Sequence, residues 1–176
     1  MTQGGPFLVA TPRSHHAGKR QNNNKTFSSA FLFTGCVNGK AVNWPALVIN
    51  GTEKNYTTTR FSAGDVITLH TTVTTKGTTV QVTDVTKGIT KKLTGAGARS
   101  SAAYVGDIAW TSSTGKILGV PNFGTLTFTN CIIDGDTLAV SLPYKTQRVN
   151  SSNTVQIATG SLSSTGTAFA TNYKHS

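Results

Sequence analysis

From residue 26 onward, short apolar runs are separated by clusters of Gly, Asn, Asp and Thr, and no window carries a helical period over ten residues. The runs predict strands at "SAFLFTG" (29–35), "WPALVIN" (44–50), "YTTTRF" (56–61), "DVITLHTTVTT" (65–75) and "TTVQVTDVT" (78–86). Further runs follow at "AYVGDIAW" (103–110), "GTLTFTNCII" (124–133), "TLAVSLPY" (137–144), "TVQIATG" (154–160) and "TAFATNY" (167–173). Period-2 alternation assigns inward faces in several of them. Val66, Leu69 and Val73 share one face if a bulge intervenes, Val80, Val82 and Val85 another, and Leu126, Phe128 and Asn130 a third. "NG" at 38–39 and 50–51 and "DG" at 134–135 are strong short hairpin signals, because both central residues of a type I′ turn need positive φ. "TTKG" (74–77) marks another turn.

About ten strands at this spacing predict an all-β fold, an antiparallel β-sandwich or jelly roll. Length agrees, since 176 residues suit one domain with a single sizeable core. Composition agrees too. Only 36% of the chain is apolar and 12% charged, and the difference is made up by Thr, Ser, Gly and Asn. Thr fits a pleated, half-buried surface, while Gly and Asn serve turns.

Residues 1–25 read differently. They end in "GKRQNNNK" and predict a basic polar N-terminal arm, flexible or held by a partner, before a sandwich domain at 26–176. Arg13, Lys19, Arg20 and Lys25 stand there without one acidic residue, in a chain of net charge +10. Such an arm suits contacts with a protein partner, a nucleic acid or another polyanion. A solvated tail is the plainer alternative. The apolar piece Phe7–Ala10 is too short for a signal peptide, and no 18-residue apolar run predicts a membrane span. Localisation stays open between virion and extracellular.

Chemistry-bearing patterns are few. Cys36 and Cys131 could pair across two sheets or sit as buried thiols, and the sequence leaves both open. No His/Cys spacing predicts a metal site, and "GAGAR" (95–99) lacks the strand-to-helix context of a phosphate loop, so no cofactor is expected. His70 stands alone in a strand, with no nucleophile elbow elsewhere. Asp65, Asp84, Asp134 and Asp136 fall mostly at turns, and Glu53, the one Glu of the chain, follows an "NG" turn at a solvated position. Trp44, Tyr104, Trp110 and Tyr144 are candidate groove aromatics for sugar or peptide, or ordinary core.

"VPNFGTLTFTNCIIDGDTL" (120–138) resembles a strand of the glutamic peptidases of the eqolisin family, which carry an Asn-Phe-Gly-Thr-Val-Thr-Phe-Thr-like stretch. "FSAGDVITLHTTVTTKGTTVQVTDVTKGITKK" (61–92) is similar to that family's Gly-Asp strand and hairpin, and "VQIATGSLSSTGTAFATNYK" (155–174) to its C-terminal strand pair. The resemblance covers roughly 44–174 and implies a concanavalin-like double sheet. It also implies acid proteolysis, in which a Glu acts as general acid/base on water and a Gln holds the oxyanion. Here "AAYVGD" matches the strand that would carry the Glu, so Asp107 stands in its place, one methylene shorter. A misplacement of about 1 Å can cost about 100-fold in rate. Where a Gln-Thr-Gly context is implied the chain reads "LFTGCV", and Gln81, Gln147 and Gln156 lie on other strands.

Two function classes follow. The leading expectation is a non-catalytic structural or interaction protein, such as a capsid, decoration or attachment component of a virus or phage particle, working as a homo-oligomer or with a protein partner. It rests on the missing Glu/Gln pair, the Thr/Gly/Asn-rich sandwich and the basic arm. The alternative is a divergent acid peptidase with Asp107 as general acid/base. A carbohydrate-binding module is a third reading.

Overall fold

The computed structural model describes residues 3–4, 7–10, 28–37, 40–96, 105–108, 122–140, 143, 145, 147–150 and 152–174. Among the described residues there are fifteen strands and no helix. They are β1 (Gln3–Gly4), β2 (Phe7–Ala10), β3 (Ser29–Val37), β4 (Lys40–Ile49), β5 (Thr52–Asn55), β6 (Ile67–Thr74), β7 (Gly77–Asp84) and β8 (Ile89–Gly95). They continue with β9 (Val105–Ile108), β10 (Thr125–Phe128), β11 (Ile132–Ile133), β12 (Asp136–Thr137), β13 (Arg148–Val149), β14 (Val155–Thr159) and β15 (Phe169–Tyr173). The chain divides into two compact units, one of Phe7–Thr34 with Val42–Val105, the other of Met1–Pro6, Gly35–Ala41 and Gly106–Ser176.

In the first unit, β5, β4, β3 and β2 are successive neighbours in one sheet, and β6, β7 and β8 form a second. Alternation along β3 and β4 sends Ala30, Leu32, Leu47 and Ile49 to one side, where they pack with Ile67, Leu69, Val80, Val82 and Leu93 of the second sheet. The opposite side carries Phe31, Ala46 and Val48, with Phe33 and Trp44 packed against them. Both faces of these strands are therefore apolar, and for that reason "AFLF" and "ALVI" read as runs rather than as alternation. Leu47 and Val80 are fully enclosed.

Two-residue turns set the registers. Asn50 (φ 50°) and Gly51 (φ 74°) join β4 to β5 with Ile49 opposite Thr52. Both residues hold positive φ, as the "NG" pair predicts for a type I′ turn. Thr74 faces Gly77 across the Thr75-Lys76 turn, and from there β6 and β7 stay in unbroken register to Ile67 opposite Asp84. A Cβ on Gly77 (φ 145°) would lie 2.8 Å from the Gly95 carbonyl oxygen, so the close approach of β8 admits only glycine there.

The second unit holds a sheet in the order β10-β15-β14-β13 and the short β11–β12 hairpin, turned by Asp134 (φ 53°) and Gly135 (φ 91°). Phe128 lies opposite Phe169, their rings stacked 4.7 Å apart, and both are buried with Cys131, Leu138 and Ile157. In this unit β1 also pairs with the end of β3, Gln3 opposite Cys36.

Several expectations change. Residues 56–61 form a loop, not a strand; the strand after the Asn-Gly turn is β5, and Thr59 N–H donates back to the Tyr56 carbonyl. No bulge breaks β6, so its half-buried side is Ile67, Leu69, Thr71 and Val73, and Val66 is 61% exposed. The chain leaves β7 at Asp84, which leaves Val85 56% exposed. Asn130 adopts φ 53° just after β10 ends at Phe128, so it shares no strand face with Leu126. Leu138–Val140 turn where a strand over 137–144 was predicted. The predicted arm (1–25) supplies β1 and β2 to the described structure.

Candidate functional site

Among the described residues, Trp44 is the sequence-predicted aromatic around which unpredicted side chains gather. It sits on β4, half-buried, with its ring stacked on Phe33 of β3 at 4.3 Å and 18°. Its indole N–H donates to Asn55 Oδ1 at 2.9 Å, across the β4–β5 hairpin. The Arg60 guanidinium lies 6.0 Å from the Trp44 ring centroid, within cation–π range. Arg60 is itself aimed by two backbone carbonyls, Asn43 at 3.1 Å and Thr57. The loop that carries it is pinned to β4 by Asn43, whose side-chain amide both donates to the Phe61 carbonyl and accepts from the Phe61 N–H. Pro45 follows Trp44, and its carbonyl accepts from the Tyr56 N–H at 3.0 Å.

The other end of the same loop is held by charge. Lys87 Nζ sits 2.5 Å from Asp65 Oδ2 and 3.7 Å from Asp84 Oδ2, and donates to Ser62 Oγ at 3.0 Å. Asp65 Oδ2 also accepts from the Ser62 N–H at 2.6 Å. The hydrogen bond from Lys87, then that from the Ser62 backbone, holds the Asp65 carboxyl below its ordinary 3.8. Asp84 is fully buried rather than placed in a turn. Its Oδ1 accepts from the Lys87 N–H, and its Oδ2 has no hydrogen-bond partner.

The remaining candidates separate. Asp107 falls within β9, its side chain outside the described residues. Tyr104, Trp110 and Tyr144, like Arg13, Lys19, Arg20 and Lys25 of the arm, lie outside the described residues. Glu53 is exposed on β5, in a strand rather than a loop. Gln81 donates to Thr83 Oγ1 on the polar side of β7, Gln156 is buried on β14, and Gln147 is exposed. His70 is exposed, next to Thr72 Oγ1. Cys131 is a free, buried thiol, and its burial raises its pKa; the Cys36 side chain lies outside the described residues. Among the described residues no three His, Cys, Asp or Glu side chains gather as metal ligands would. Sequence reasoning missed Asn43, Arg60 and the Asp65–Lys87–Asp84 group. The Asp84/Lys87 spacing around a Gly-containing turn was the one available signal.

An antiparallel β-sandwich defines the fold class, and comparison with solved structures agrees. Aspergilloglutamic peptidase from Aspergillus niger has the same fold, with a TM-score of 0.73 at 17% identity over 98% of this chain and 99% of that one. Scytalido-glutamic peptidase, solved with a transition state analog inhibitor, gives a TM-score of 0.60 at 14% identity over 98% and 92%. The family model of the peptidase A4 family matches residues 20–173, and the chain belongs to that family, the eqolisin-type glutamic peptidases. No curated protein matches it. Where the resemblance implies a Gln-Thr-Gly context the chain reads Phe33-Thr34-Gly35, and the Phe33 ring stacks on Trp44.

Proposed function

We propose that this chain is an acid-acting peptidase of the glutamic type, with Asp107 as the carboxyl that activates water. The observation that carries this reading is the family match over residues 20–173. It favours a peptidase over the component of a virus or phage particle that composition suggested. Asp107 is the carboxyl residue in the segment aligned with the Glu-bearing strand, and it falls within a strand, β9. A general acid/base on a peptide-bond water needs a positioned carboxyl more than it needs a particular chain length. The shorter Asp predicts slow turnover.

The test is cleavage of an unfolded protein by the full chain in acid, beside Asp107→Asn. Wild-type cleavage that falls about 10²–10⁴-fold in the variant supports the role. Cleavage unchanged by the substitution would remove Asp107 from the mechanism.

A second reading is favoured by one specific contact. Phe33 stacks on Trp44 where the resemblance implies a Gln, which leaves the oxyanion without that donor. A chain without this amide would bind extended peptides on the sheet and not cut them. Peptide binding by isothermal titration with no cleavage by wild type would establish this reading instead.

A further inference from the structure

Loop 56–66 links β5 to β6, carries Arg60 over Trp44 and drops Phe61 into the core. Its first half is fastened by uncharged groups, the Asn43 amide and the Pro45 carbonyl. Its second half is fastened at Val66 by Thr86 Oγ1 and the Val85 N–H, and before that through Lys87, which lies in the turn between β7 and β8. The Lys87 ammonium reaches Asp65 Oδ2, Ser62 Oγ and the Arg60 carbonyl, at 2.5, 3.0 and 3.4 Å, all on the loop. Behind it stands Asp84, fully buried at the end of β7, with one oxygen facing the ammonium at 3.7 Å and making no hydrogen bond. A carboxylate so placed costs free energy unless the cation stays, because beyond the Lys87 N–H on Oδ1 its desolvation is offset by that charge.

We propose that Asp65, Lys87 and Asp84 form an acid-released clasp that holds loop 56–66 against the turn following β7. The charged groups that face it among the described residues are these three and, through its backbone carbonyl, Arg60, whose guanidinium points to Trp44. Protonating Asp65 removes the partner that Lys87 touches most closely, and with it the acceptor of the Ser62 N–H. The ion pair that links the loop to the turn is lost, and the hydrogen bond that braces Ser62 against Asp65 inside the loop is weakened with it. What remains at that end is uncharged on the loop side: Lys87 on Ser62 Oγ and the Arg60 carbonyl, Val66 N–H on Thr86 Oγ1 and Val85 N–H on the Val66 carbonyl. The part of the loop that opens is the part beyond Phe61, while Arg60 keeps its bonds to the Asn43 and Thr57 carbonyls. The direction follows from linkage. Asp65 has its folded pKa depressed, so its stabilisation is complete above the unfolded value of 3.8 and is lost as pH falls through the lower, folded value.

The experiment reads folding rather than cleavage, so its result is independent of the role of Asp107. Asp65→Asn, Lys87→Met and the double variant are melted near neutral pH and again well below 3.8, with amide exchange followed over residues 59–66. Near neutral pH the two substitutions are expected to be non-additive in melting temperature, and Lys87→Met to raise exchange in residues 59–66 above that in β6 and β7. In acid the non-additivity disappears. Non-additivity that persists in acid, or is absent near neutral pH, overturns the clasp, and so does exchange that rises equally throughout the sheet. If Lys87→Met does not fold, Asp65→Asn alone decides the matter. As pH falls well below 3.8, through the lower folded value, the melting-temperature gap between it and wild type must close, and a constant gap overturns the proposal.

Discussion

Asn43 and Phe61 are joined by a reciprocal pair of hydrogen bonds, the side-chain amide of one serving both backbone groups of the other at 2.8 and 2.7 Å. The arrangement imitates the pairing of two strands where no second strand exists. It explains how the chain between β5 and β6 stays ordered although it lacks a ladder. Removing the amide leaves a part-buried N–H and C=O unpaired, at a cost of about 1–3 kcal/mol. Asn43→Ala is therefore expected to lower stability by that amount in urea unfolding, with the slope of the transition unchanged. Asn43→Asp keeps the acceptor and loses the donor, so it should fall between the two.

Phe33→Gln tests the meaning of the aromatic at the amide position. Loss of the stack on Trp44 should cost about 0.5–1.5 kcal/mol beyond the loss of buried area. If the chain cuts peptides, the restored amide supplies an oxyanion donor, and cleavage in acid is expected to rise about 10²-fold or more, the scale of one such donor. A variant that is less stable and no more active would show that the amide alone does not complete the site.

Gly77→Ala confronts both a φ of 145° and the Gly95 carbonyl oxygen 2.8 Å from the new Cβ. Neither partner is a flexible side chain that can step aside. An expected loss of about 1–3 kcal/mol should be measurable as a lower melting temperature. Gly64→Ala is the control, since a Cβ there meets nothing within 4 Å although its φ of 90° is also positive. The difference between the two variants reports the strand contact together with the difference in φ.

Cys131 is buried and its thiol is held above the ordinary pKa by desolvation. In a Cys36→Ser background it should react with iodoacetamide far more slowly in the folded protein than in urea near neutral pH, because the reacting species is the thiolate. In the unreduced wild-type chain unfolded in urea, Cys131 is expected to take up the label, and a Cys131 that stays unlabelled there would contradict its free thiol.

Much of the architecture was legible along the chain because its causes are local. The Asn-Gly and Asp-Gly turns adopt the positive φ values their side chains tolerate, and they place β4–β5 and β11–β12 in register. The alternation of β7 survives intact, with Val80 and Val82 inward. The family resemblance rested on contiguous strand sequence, which is local too. The misread places have a different origin. The pattern alone could not tell a Thr-rich loop from a Thr-rich strand at 56–61, since both satisfy Thr, and Asn43 decided between them from 18 positions away.

Sequence by itself therefore determined the strand-and-turn grammar, the all-β class and the family. Tertiary structure alone decided that a fully buried Asp84 would be matched by Lys87 and shared with Asp65, and that Arg60 would stand over Trp44. The reason is physical. Turns and alternation obey steric rules spanning a few residues, whereas a charge buried between elements depends on which distant group the packed sheets bring within a few ångströms of it.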